Sequence, residues 1–178
     1  MAYNSQTGSI LVFGGFGAPP GPILIPDTWE LADPTPTSAV AASYGAGCGT
    51  PALTIAPASG ALPVVGTTAV TEMDNIPPAS LGAFVSLGWS NVLTGPFPLP
   101  LSMAPYGMPD CDLWQSAELV AEPTALTGPG TASYSLAIPN LADLIGVQLY
   151  LQGWANAPGA NAGNMILSNA LAWTVGNV

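Results

Sequence analysis

Around Cys111 the chain reads Pro-Asp-Cys-Asp-Leu, so Asp110 and Asp112 stand two residues apart, with Glu118 and Glu122 following. On a strand, positions i and i+2 share a face. Two carboxylates brought together in that way can act as a general acid/base pair or contribute to a Ca2+ site. Glu72 and Asp74 in "TEMDN" have the same spacing. The plain alternative for both pairs is a solvated edge, next to a cystine in the first case and at a strand end in the second. Nucleophilic hydrolysis has little to work with. The sequence contains no His, Lys or Arg, so neither imidazole nor amine is present as a base, and the two thiols are expected to be oxidised. A hydrolase built on Asp or Glu with a Gln is the one enzymatic alternative left. The expectation is a protein that is not an enzyme, with no cofactor other than calcium at Asp110 and Asp112.

The missing cations shape the rest of the reading. Ten carboxylates give a net charge of −10 over 178 residues, and no side chain can pair with them as a salt bridge. Each must be solvated, bonded to backbone or side-chain donors, or bound to a cation. A chain without cations has nothing with which to displace counterions from phosphate, so nucleic acid is not an expected partner. Anionic membrane surfaces are excluded on the same ground. Charged residues are 6% and hydrophobic residues 49%, a composition that folds rather than one that stays disordered. No apolar run reaches the roughly 18 residues of a spanning helix. The opening "MAYNSQTGS" lacks the basic and apolar regions of a signal peptide, so export would have required a leader since removed.

Cys48 and Cys111 both lie in glycine-containing settings, "GAGCGT" and "GMPDCDL". In an extracellular chain an even pair reads as one disulfide, which would stabilise by roughly 4 kcal/mol for a loop of this size. Two buried thiols are the alternative. Zinc is not expected from two cysteines and no histidine.

Gly and Pro together number 41, from 21 and 20, and they cut the chain into short apolar segments suited to strands. In "TASYSLAI" Ala132, Tyr134, Leu136 and Ile138 share a face. In "VQLYLQGW" Val147, Leu149, Leu151 and Gly153 oppose Gln148, Tyr150, Gln152 and Trp154. Strands spaced in this way predict an all-β protein, a β-sandwich of immunoglobulin-like or jelly-roll-like kind, with an N-terminal β-hairpin or strand extension. The only local helical signal, "NLADLIG", predicts a single turn crossing between sheets. "DPTPTSAVAASYG", residues 33–45, has linker composition. The expected division is an arm at 1–33, a linker at 34–45 and a sandwich at 46–178.

Two stretches could meet partners. Tyr150 and Trp154 share the polar and aromatic face of one strand and would form a stacking platform for a polysaccharide. Ile10, Leu11, Val12 and Phe13, with Ile23, Leu24 and Ile25, form apolar segments with little charge nearby. Exposed, they would pair with other chains; donated to a neighbour's sheet, they would be an assembly device; otherwise they pack on their own domain.

The N-terminal segment "YNSQTGSILVFGGFG", followed by "DTWEL", resembles one kelch repeat, with its apolar strand, the Gly14-Gly15 pair and the downstream Trp29. The resemblance implies a blade whose faces must be covered by a neighbouring blade, the following domain or another subunit. Residues 44–178 resemble the sandwich modules that follow propeller or other repeat regions in secreted, planctomycete-like bacterial proteins. The matching residues are "YGAGC", "GTPALTI", "PLPLSM", "GMPDCDL", "SYSLAIPN", "LYLQGWA" and "SNAL". Those modules usually carry basic residues, which this chain lacks.

Together these features lead to the expectation of a secreted or cell-surface structural protein that associates with itself, into a filament or surface layer, by strand addition and apolar contacts. A carbohydrate-binding or adhesion module is the competing expectation.

Overall fold

The computed structural model describes residues 37–178, apart from the side chains at 120–122. Before them it describes the backbone of three strands, β1 (Ala2–Asn4), β2 (Ser9–Phe13) and β3 (Thr28–Leu31). The chain divides into two units, Met1–Pro36 and Thr37–Val178. In the first unit β1, β2 and β3 form an antiparallel sheet in that order, with β2 bonded on both sides. Ile10–Phe13 therefore occupy a central strand. Ile10 and Leu11 pair with both neighbours, and Val12 and Phe13 pair with β3. Ile23, Leu24 and Ile25 lie outside the described residues.

The second unit is nearly all β. Its strands are β4 (Val40–Tyr44), β5 (Thr54–Pro57), β6 (Thr68–Asp74), β7 (Ala83–Gly88), β8 (Leu93–Thr94), β9 (Phe97–Pro98), β10 (Leu101–Ser102), β11 (Asp112–Leu113), β12 (Leu119–Pro123), β13 (Ala125–Gly128), β14 (Thr131–Ala137), β15 (Gln148–Asn156) and β16 (Met165–Thr174). A five-stranded sheet, β12-β7-β15-β16-β4, faces a four-stranded sheet, β13-β14-β6-β5. The fold is sandwich-like, as the alternating strands lead one to expect. The expected single turn is a 3-10 turn at Ala142–Leu144, between β14 of one sheet and β15 of the other. The linker expected over 34–45 is partly a strand. β4 pairs along its whole length with β16, from Val40 opposite Thr174 to Tyr44 opposite Ala170.

The core lies between the sheets, where alternate residues of each strand point inward. Ala69, Thr71 and Met73 on β6, with Ala132 and Tyr134 on β14, meet Val85, Leu87, Leu151, Leu171 and Trp173 of the larger sheet. Leu87, Leu151 and Leu171 are register partners across three neighbouring strands. Gly153 lies where the sheets approach: a Cβ there would come within 2.7 Å of Met73 Cε, so the end of that side chain would have to shift. β12 passes into β13 at Thr124, whose N–H and hydroxyl both donate to Ala83 C=O. That anchor turns the chain from one sheet to the other. The end of the unit is tied back to its beginning: Ala39 N–H donates to Val178 C=O, and Asn177 N–H to Thr37 C=O.

Candidate interaction surfaces

The outer face of the five-stranded sheet carries the polar and aromatic row singled out in the sequence, and it is covered. Between β7 and β12 the chain makes a long excursion, and its last part, Asp112–Ala117, lies over that face. A Cβ at Gly88 would run into Gln115 Oε1 and Ser116 Oγ, so only glycine lets the cover approach. The cover is bolted down by hydrogen bonds. Gln152 is fully buried; its amide nitrogen donates to Asp112 C=O and Ser168 C=O, and its amide oxygen accepts Trp114 N–H. Ser86 Oγ accepts from Gln115 Nε2 at 2.6 Å and Trp154 Nε1 at 2.8 Å, and donates to Gln152 C=O.

This arrangement overturns the stacking platform. Tyr150 is buried, with its hydroxyl on Gln148 Oε1 and its ring edge-to-face with Tyr44. Trp154 is half-buried, has its N–H engaged by Ser86, and stacks on Phe84 with ring centroids 5.7 Å apart. Tyr44 closes the cover from β4: its hydroxyl donates to Trp114 C=O, and burial, followed by the nearby Tyr150, raises it above its ordinary pKa.

Cys48 and Cys111 form the disulfide, with Cα atoms 5.1 Å apart and a sequence separation of 63. It fastens the excursion to the loop after β4, and Cys48 Sγ also accepts Leu167 N–H from β16. Two clefts flank it and share Gly49, Thr50, Ala160 and Ile166. One, about 480 Å³, is lined by the cystine and Asp110; the other, about 380 Å³, by Pro51, Pro77, Pro78 and Pro158. Asp110 has φ 62°, in a turn, and Asp112 opens β11. The two carboxylates thus do not sit on one strand, and the shared-face geometry expected of a calcium pair is not formed. Among the described residues no three His, Cys, Asp or Glu side chains gather as a metal-binding group. Glu72 and Asp74 do share a face, exposed on the outside of the four-stranded sheet.

The residues that do reach solvent were not marked by the sequence. Trp89, Val92, Leu93 and Phe97, on the β8–β9 hairpin and its approach, are between 51% and 65% exposed, and Tyr106 is 65% exposed. The base of the hairpin is held by Ser116 and Glu118. Ser116 Oγ accepts N–H bonds from Trp89 and Ser90 and donates to the Glu118 carboxylate, which also accepts Trp89 N–H. These bonds, the Ser116 hydroxyl first, hold the Glu118 carboxyl below its ordinary pKa. "NVLTGPFP" between turn residues is a hairpin signal, and an apolar pair beside it is the one hint of exposure.

No helix among the described residues is long and apolar enough to cross a membrane. Compared with known proteins, the chain matches no family model, no curated protein and no solved structure.

Proposed function

We propose that this is a non-enzymatic extracellular structural protein whose copies associate through strand edges and apolar contacts into a filament or surface layer. The observation that carries the reading is the hairpin: four large apolar side chains, Trp89, Val92, Leu93 and Phe97, stand more than half exposed on a turn fixed by a buried serine. Exposed apolar groups that cluster mark surfaces meant for contact. With a net charge of −10 and no cation, association between copies has no ion pair to draw on. The cystine supports an oxidising compartment. Sedimentation and electron microscopy at low salt, high salt and millimolar calcium test this: concentration-dependent association supports it, and a monomer under every condition sinks it.

The exposed aromatics also favour a second reading, an adhesion or carbohydrate-binding module. Trp89 and Tyr106, rather than Trp154 and Tyr150, would then carry stacking. Retention on polysaccharide that is lost in Trp89→Ala and Tyr106→Ala would support it, and absence of retention would remove it.

A further inference from the structure

The sandwich has four terminal strands, and three of them are closed to a further strand. β5 is blocked at its centre by a side chain of the opposite sheet: Asn169 Oδ1 accepts Ile55 N–H and Asn169 Nδ2 donates to Ile55 C=O. The amide takes the place that a neighbouring strand would take, and Pro57 ends the strand without an N–H. β12 has a register shift between Leu119 and Glu122 and ends on Pro123. β13 has four residues and a shift between Leu126 and Gly128. Bulges, prolines and charge are the means by which sheet edges resist pairing.

β4 has none of these. Its five residues, Val-Ala-Ala-Ser-Tyr, keep an unbroken register with β16 and contain no proline, glycine or charge. Among the described residues no strand pairs with its other side. We infer that the outer edge of Val40–Tyr44 is a self-association surface, pairing antiparallel with the same strand of a second copy. This rests on the self-association proposed above and adds a strand edge to the exposed hairpin as its second contact.

Charge decides the occupant. Every charged side chain in the protein is an anion, so two copies meet favourably only where neither presents one. β4, β16, β15 and β7 together contain no charged residue, and none occurs between Asp33 and Glu72. A pairing of one strand with itself is isologous and closes as a two-fold dimer, so growth of such dimers into a filament or layer falls to the exposed Trp89 hairpin. Centred on Ala42, the strand pairing sets Val40 opposite Tyr44, a β-branched–aromatic pair of the kind that stabilises antiparallel ladders, and joins two five-stranded sheets into one.

The test uses the full chain with Ala42→Glu and Ala42→Lys, alone and mixed in equal amounts, by sedimentation velocity. Ala42 is exposed, and circular dichroism with thermal unfolding checks that each variant folds. In the self-pair each substitution faces its own charge, so each variant alone should need about tenfold more protein to associate. The mixture should regain the parent's association, with one chain of each kind in the dimer, and Ala42→Thr should behave as the parent. Association unchanged in both charged variants, or not regained on mixing, overturns this surface while leaving the proposed function standing. A parent that never associates overturns both.

Discussion

Asn169 of β16 holds both main-chain groups of Ile55 on β5, accepting its N–H at 2.9 Å and donating to its C=O at 3.0 Å. One side chain thus ties the two sheets together and covers a strand edge. Ile55 is 1% exposed, so water does not replace the amide when it is removed. Asn169→Leu should lower stability to urea by about 2 to 4 kcal/mol, since a buried donor and a buried acceptor are each left without a partner. A loss below about 0.5 kcal/mol, the ordinary range of surface changes, would show that Ile55 finds other partners.

Gln152 plays the corresponding part on the other side of the large sheet. Its three bonds reach Asp112, Trp114 and Ser168. Gln152→Leu should cost about 3 kcal/mol and free the cover, so that the Trp114 amide exchanges with solvent faster than the amides of β15. Hydrogen exchange that leaves Trp114 as protected as the sheet would contradict the bolting role.

Replacing both cysteines by serine releases a loop whose ends are 63 positions apart and should lower stability by about 4 kcal/mol in the chain-entropy view. Thermal unfolding of Cys48→Ser/Cys111→Ser and of the reduced parent, each compared with the oxidised parent, reads this. Equal stability of oxidised and reduced protein would place the excursion's hold in its hydrogen bonds alone.

Two groups carry the pH dependence, with opposite signs. The Glu118 carboxyl lies lower in the folded chain than its ordinary 4.5, so its contribution is present above that value and is lost as pH falls through the folded one. Acid should loosen the Trp89 hairpin, and Glu118→Gln should remove that part of the acid response. The Tyr44 hydroxyl is raised from its ordinary 10.0, so its contribution is present below 10 and is lost as pH rises through the folded value. Alkaline titration followed by tyrosinate absorbance should find Tyr44 ionising only as the cover opens. A Trp89 amide signal indifferent to acid, or early ionisation of Tyr44, would contradict these assignments.

The parts of the fold legible in sequence are those where burial differs between two faces. Ala132, Tyr134 and Ile138 alternate with more exposed neighbours and read directly as a half-buried strand. The disulfide followed from cysteine parity. β4 was illegible because its contrast is slight: Ala41 packs partly against the core while Ala42 and Ser43 are exposed, and three small residues in a row carry no apolar–polar alternation. The row Gln148, Tyr150, Gln152 and Trp154 was legible as a shared face and misread as open. A polar strand face looks the same whether it meets water or a hydrogen-bonded cover, and the segment supplying that cover, Asp112–Ala117, bears no local mark of folding back. Trp89, Val92, Leu93 and Phe97 were hidden among other apolar residues for the same lack of contrast.

If copies of this chain associate through uncharged surface, sedimentation velocity over a wide concentration range, at low salt and near 0.5 M salt, will register it. Copies of net charge −10 repel through solvent, and salt shortens the range of that repulsion, to about 10 Å at 0.1 M. The weight-average sedimentation coefficient should rise with concentration and rise further with salt. A sharp monomer boundary under all conditions, or association that salt dissolves, would contradict it.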